Sequence, residues 1–418
     1  MRTIFFQVKL TIAVLAAVTL FAIMPLSASQ ELAQTPVILN AKDLLPQDLL
    51  QGENYKILNE VKNDGIFNTY QLETDYGRLT VESDSILMMR IAELKALKVM
   101  EELEESEAFT DAIGKTAKGT VEDAGKLVTS PVETTKGVVK GTGRFLSNLG
   151  RAFFSDDPDQ DNAVSVALGY DATKRSYAYE FGIDPYTHYE PVKHRLGEIS
   201  RASVAGGLAP KVALSAVGGG VATGVSIGIT AEGMRQLVRD NSPGDLNKIN
   251  KKKLEDMGVA SKLAESFLSN YSYNPLEETL LVGALESMKN VAGRDAFIAL
   301  ASLAGNEDTA VYYRLSAQMM EAYHVNVAPG VRIWNIGGNL RLQRKDGTFL
   351  LLQPLDYIFW TKDVQGGLEV ADSDLKKVPE VTAKEMWISG RFDPKVREML
   401  TASGWKVQEN ATDVLLKK

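Results

Sequence analysis

Hydrophobic and polar positions change their spacing several times along this chain. Asn54–Lys62 (NYKILNEVK) and Ile66–Thr74 (IFNTYQLET) alternate with a period near two, the pattern of half-buried strands. Asn63-Asp64-Gly65 between them reads as a hairpin turn, because Asn and Gly tolerate positive φ. Asp75-Tyr76-Gly77 turns the chain again, and Arg78–Glu82 supplies a third strand. A meander this small needs a helix to cover it. Ser83 and Asp84 are cap candidates for a helix over Ile86–Glu105, which lacks Gly and Pro. That helix sets Ile86, Met89, Leu94, Leu97 and Met100 on one side. Residues 30–52, with Pro36 and Pro46, read as a lead-in.

The next stretch has a helical period and unusual chemistry. After Pro131, a helical wheel gathers Phe145, Leu149 and Phe153 on one side and Lys136, Lys140, Arg144 and Arg151 on another. This is the form of a helix lying on an anionic membrane surface or docking on an envelope partner. A helix packing its stripe on its own domain has the same form. Ser155–Asn162 is an acidic loop and a domain boundary. Asp157, Asp159 and Asp161 match the first ligand positions of a calcium loop. Asn162 replaces the glycine and Leu168 the glutamate that such a loop requires, so a solvated linker is expected rather than a metal site.

Residues 163–182 alternate and carry Tyr170, Tyr177, Tyr179 and Phe181, which predicts short strands or an extended arm. Glu190–Ala205 reads as a helix. Val212–Ala231 then holds no charge, and Gly220, Gly224 and Gly228 recur every four residues. On a helix they stack bare backbone on one face, so another helix can approach closely. The segment is long enough to span a bilayer, but Gly, Ser and Thr dilute its hydrophobicity. It is read as buried core clasped by helices, with membrane insertion as the alternative. Helices follow at Lys248–Ser269, Leu276–Leu303 and Asp308–His324. From Val325 the period returns to two. Val331–Ile336, Leu340–Arg344, Thr348–Gln353 and Tyr357–Thr361 read as strands, and the end reads strand–helix–strand, with Asp393-Pro394 opening the helix. The S-x-x-K match at Ser373 and Lys376 lies in what reads as a polar linker.

The predicted class is therefore α+β. Residues 30–107 form a β-meander with a covering helix, and 108–162 a Gly/Thr/Lys-rich helical region and linker. Residues 163–324 form an all-α domain around the glycine-rich segment, and 325–418 a β-rich domain ending in a βαβ unit.

Composition narrows the function. The 418 residues are 44% hydrophobic and 24% charged, as in globular proteins of two or three domains. Arg2 and Lys9, the apolar run Leu10–Leu26 and the small residues Ser27-Ala28-Ser29 read as a cleaved signal peptide over 1–29, which implies a periplasmic or secreted protein. Loss of Arg2 and Lys9 takes the net charge from -8 to -10, which argues against nucleic-acid binding. With no cysteine there is no disulfide, no thiol nucleophile and no lipid-attachment site. His188 and His194 flank Glu190, but their spacing is not that of a helical pair and Pro191 interrupts, so they are weak zinc ligands. No G-x-S-x-G, H-E-x-x-H or phosphate-cradling loop occurs. No cofactor is expected. The expected function is a non-enzymatic module of the cell envelope that touches a protein partner or the membrane surface. The alternatives are a membrane-inserting or pore-forming effector using 212–231, and a periplasmic hydrolase whose site is dispersed in sequence.

Overall fold

The computed structural model describes residues 32–107, 109–111, 169–208, 210, 230–376, 378 and 381–416. The expected signal segment, the expected basic helix with Lys136, Lys140, Arg144, Phe145, Leu149, Arg151 and Phe153, the aspartates 157, 159 and 161, and Gly220, Gly224 and Gly228 lie outside them.

The first sheet is antiparallel. It contains β1 (Val37–Asn40), β2 (Tyr55–Ile57), β3 (Glu60–Asn63), β4 (Asn68–Thr74) and β5 (Gly77–Glu82). β4 is its centre, with β5 on one side and β2 and β3 on the other. The single strand expected over Asn54–Lys62 is broken at Leu58-Asn59, where the Asn59 carbonyl accepts from Ala41 N–H at the start of the short helix α1 (Ala41–Leu44). β1 lies in the stretch read as a lead-in and pairs with β3. The predicted turn forms through its own side chains. Asn63 Oδ1 accepts from Gly65 N–H at 2.7 Å, and Asp64 Oδ1 accepts from Ile66 and Phe67 at 3.0 and 2.9 Å. Gly65 sits at φ +108, a conformation L side chains rarely adopt. The covering helix is α2 (Asp84–Glu105), capped by the Ser83 hydroxyl accepting from Ile86 N–H at 3.2 Å. It buries Leu87, Ile91, Leu94, Leu97, Met100 and Leu103 in the core of the sheet. Each such side chain contributes about 1.5–3 kcal/mol.

Eight helices follow among the described residues. They are α3 (Tyr170–Phe181), α4 (Glu190–Gly206), α5 (Ala231–Asp240), α6 (Pro243–Asp256), α7 (Ser261–Leu268), α8 (Pro275–Ser287), α9 (Arg294–Ala301) and α10 (Glu307–Asn326). α3 corrects the expectation of strands within 163–182. Tyr177, Ala178 and Phe181 fall on one helical face and enter the first core, and Gly182 at φ +71 ends the helix. Two predicted long helices are also divided. Gly258 at φ +86 separates α6 from α7, and Asn290 and Gly293, at φ +66 and +78, separate α8 from α9. A Cβ on Gly293 would lie 2.0 Å from the Ile333 carbonyl oxygen, so a strand backbone passes directly over it.

The second sheet has the order β12–β10–β8–β7–β6. β6 (Gly330–Ile336), β7 (Asn339–Arg344) and β8 (Thr348–Gln353) run antiparallel, while β10 (Ala383–Ile388) and β12 (Trp405–Gln408) add in parallel. Helix α12 (Pro394–Ala402) crosses between β10 and β12 and gives the βαβ end. Leu350 and Leu352 of β8 enter the core formed with α8, α9 and α10. Phe349 and Leu351 enter a separate core on the opposite face. That face is covered by α12 and by α11 (Lys362–Leu375), a helix whose end lies in the stretch read as a linker. β9 is only Tyr357–Ile358, shorter than expected, and pairs with β11 (Arg391–Phe392). A last helix, α13 (Ala411–Leu415), packs near the end of α10. The two ends of the chain are clasped. Tyr357 N–H donates to Ile66 O at 3.2 Å, Phe359 N–H to Gly65 O at 3.0 Å, and Ala33 N–H to Trp360 O at 2.8 Å. The molecule is a mixed α+β protein with the expected layout.

Candidate functional site

Charged side chains converge where α2, the Gly182–Tyr189 turn, α8 and α10 meet. The turn is set by its own sequence. Asp184 Oδ1 accepts from Tyr186 N–H at 2.8 Å, which closes the Ile183-Asp184-Pro185-Tyr186 turn. Its Oδ2 accepts from Asn274 Nδ2 at 2.7 Å. Asn274 Oδ1 in turn caps α8, taking the N–H groups of Leu276 and Glu277 at 2.9 and 3.0 Å. One turn into α8, Glu277 Oε2 meets Arg314 Nε of α10 at 2.7 Å, and Arg314 Nη1 donates to Gln318 Oε1 at 3.0 Å. On the α2 side, Glu93 accepts from Arg90 and from the Thr187 hydroxyl, and the Arg90 guanidinium lies 4.3 Å from the centre of the Tyr189 ring.

This seam is sealed: Arg314 is 2% exposed, Glu277 3% and Glu93 5%. Burial pushes the Glu93 carboxyl up to about 7 against the pull of Arg90 and Thr187. Burial does the same to Asp184, also to about 7, against the Tyr186 and Asn274 hydrogen bonds, with Glu277 and Glu93 adding to the rise. A carboxyl near neutrality can give or take a proton at physiological pH. Here, though, each acid is held by partners from the fold.

Two small openings flank the seam. One, enclosing about 10 Å³, lies between α3 and α5 and is lined by Arg175, Tyr179, Arg235 and Arg239. The other, about 40 Å³, lies at the start of α2 among Phe67, Glu82, Ser83, Asp308 and Tyr312. Such volumes hold one to a few waters, whereas pockets for small molecules enclose roughly 300–1,000 Å³.

Of the sequence-derived zinc candidates, His188 and His194 lie among the described residues. His188 is exposed, and His194 Nδ1 lies 3.2 Å from Glu198 on the surface of α4. Among the described residues no group of three or more His, Asp or Glu side chains is placed to hold a metal ion. Among them, too, no helix is long and apolar enough to cross a membrane. Asp393 caps α12, accepting from Lys395 N–H at 2.9 Å, as its sequence context predicts.

What sequence reasoning missed is a surface feature. Tyr271 is 84% exposed and Leu303 66% exposed. Their loops are bolted together. Asn270 Nδ2 donates to the carbonyls of Ser302 and Ala304 at 2.9 and 3.0 Å, the Ser272 hydroxyl donates to Ala304 O at 3.0 Å, and Tyr273 OH donates to Ala301 O at 2.9 Å. Leu303 is the last residue of the helix expected over Leu276–Leu303, but α9 ends at Ala301 and the following turn carries Leu303 outward. No local signal joins two loops so far apart in sequence. No family model, no curated protein and no solved structure matches this chain.

Proposed function

We propose that the protein is an exported, non-enzymatic binding module that docks on a protein partner through the Tyr271–Leu303 knob. One observation carries this reading: an aromatic and an aliphatic side chain stand in water on loops fixed by four hydrogen bonds. Large, rigid apolar anchors with little conformational freedom to lose are the residues that dominate interface energetics. The surrounding charge favours a protein over an anionic membrane. No lysine or arginine occurs between Lys262 and Lys289 or between Arg294 and Arg314, while Glu265, Glu307 and Asp308 do. A helix or loop that binds anionic lipid needs basic residues beside its apolar anchors.

Site-specific photo-cross-linking in the native envelope tests this. A cross-linker at position 271 is expected to give one discrete heavier product that fades in the Leu303→Ser chain, and none at the exposed position 345. Equal products at 271 and 345, or none at 271 in the folded chain, would overturn the reading.

A further inference from the structure

The notch between α3 and α5 is built from cations. Arg175 and Tyr179 share one face of α3, and Arg235 and Arg239 share one face of α5, each pair four residues apart. The two faces meet over a floor that includes Pro185 and Val238. Among the described residues, neither an aspartate nor a glutamate lines the opening. Two of its guanidinium groups are fixed by the fold. Arg175 Nε donates to the Arg239 carbonyl at 3.3 Å. Arg239 grips Asp240 with Nε at 2.7 Å and Nη2 at 3.0 Å, and stacks on the Tyr179 ring at 4.6 Å.

Arg235 is different. Among the described residues it has no hydrogen bond and no ion pair within 4.0 Å. Its neighbours in charge are already engaged. Glu232 accepts from Tyr179 OH and from Gln236 Nε2, and Asp184 is held by Tyr186 and Asn274. Burial lowers the proton affinity of Arg235, with Asp184 and Glu232 only partly offsetting it. Arginine nonetheless stays protonated in proteins, so the guanidinium keeps five N–H donors in a planar fork.

We propose that this notch binds an oxyanion, a phosphate or carboxylate group, on Arg235, with Arg175 and Arg239 supplying further positive potential. The fork geometry of a guanidinium matches such a group bidentately. The enclosed space of about 10 Å³ admits no whole ligand, so the anionic group caps the mouth while any larger body stays outside. The chemistry is shared by free phosphate and by the phosphate of a lipid head group. The inference does not depend on the Tyr271–Leu303 knob.

The test uses the full chain and two probes. Inorganic phosphate is titrated by calorimetry at constant ionic strength, with chloride as the balancing anion. Flotation with phosphatidylglycerol vesicles is compared with phosphatidylcholine vesicles. Phosphate binding that weakens at least tenfold in Arg235→Gln, but persists in Lys345→Gln, is the expected result. Arg235→Lys keeps the charge and loses the fork. It is expected to fall between the two and serves if the glutamine chain does not fold. If vesicle flotation alone depends on Arg235, the anion is a lipid head group and the site stands. Binding equal in the parent and Arg235→Gln with both probes, or no binding beyond the chloride control, overturns the proposal.

Discussion

The carboxyl groups of Asp84 and Asp356 share one buried corner between the first sheet and the C-terminal region. Asp356 Oδ2 accepts from Asn68 N–H at 2.9 Å, and its carboxyl also takes the backbone N–H of Asp84 at the start of α2. Asp84 Oδ1 accepts from Tyr70 OH at 2.6 Å and Asn68 Nδ2 at 2.8 Å. Burial, and then the neighbouring Asp84 charge, hold Asp356 well above the usual carboxylate range. The folded chain therefore keeps a proton that the unfolded chain releases. This contribution to stability is full below about pH 4 and is lost as pH rises through the folded value.

An amide at this position keeps an acceptor and removes the charge. Asp356→Asn is expected to flatten the dependence of the urea midpoint on pH and to exceed the parent in stability above neutrality. Parallel curves for the two chains would show that Asp356 does not carry a raised proton affinity.

Glu93 titrates in the same direction within the seam. With its folded value at about 7, its contribution declines between about pH 4.3 and 7, by about 4 kcal/mol at most. Carboxyl carbon NMR should place its midpoint near neutrality, and Glu93→Gln should remove the matching part of the pH slope. A midpoint in the ordinary glutamate range would refute the assignment.

The Glu277–Arg314 pair should behave as a unit. Truncating one partner leaves the other charge buried without a counter-ion, so Arg314→Met or Glu277→Leu alone is expected to cost about 3–5 kcal/mol. The double variant should recover most of that loss. If the two single losses simply add in the double variant, the pair is not coupled.

Among the described residues, Arg341 is the largest fully buried side chain, and none of its guanidinium nitrogens finds a hydrogen-bond acceptor there. Burial lowers its proton affinity to about 10, with Asp374 and Asp372 pulling the other way. Asp372 is already held by Lys384 Nζ at 2.6 Å and Trp405 Nε1 at 2.8 Å. Arg341→Leu is expected to stabilise the fold by about 1–4 kcal/mol, read as a raised melting temperature. A lower melting temperature would mean that the charge contributes more than its desolvation removes.

Arg341 also shows where sequence reading stops. The strand pattern in Leu340–Arg344 was legible, and it puts Arg341 on the face opposite Leu340 and Leu342. Only a cover turns that face inward, and α11 was hidden because its end, within Ala371–Val378, looks like a polar linker. Local signals were read well. The Asn63-Asp64-Gly65 turn, the Ser83 cap and the Asp393-Pro394 helix start all form as expected, since each depends on residues within a few positions. The polar seam was not legible. Glu277 and Arg314 are 37 residues apart, and on its own helix each looks like one more solvated charge. The same holds for Tyr271 and Leu303, which only the docking of two loops brings together.

The clasp between the ends bears on how the chain is made. Gly65 and Ile66 are synthesised early, yet the donors that saturate their carbonyls arrive only with Tyr357 and Phe359. Until the ribosome has delivered that segment, the first sheet keeps an unfinished rim that any nascent copy carrying the missing piece could complete. A truncated product ending before Asp356 would therefore be a natural acceptor for strand exchange with its full-length sibling.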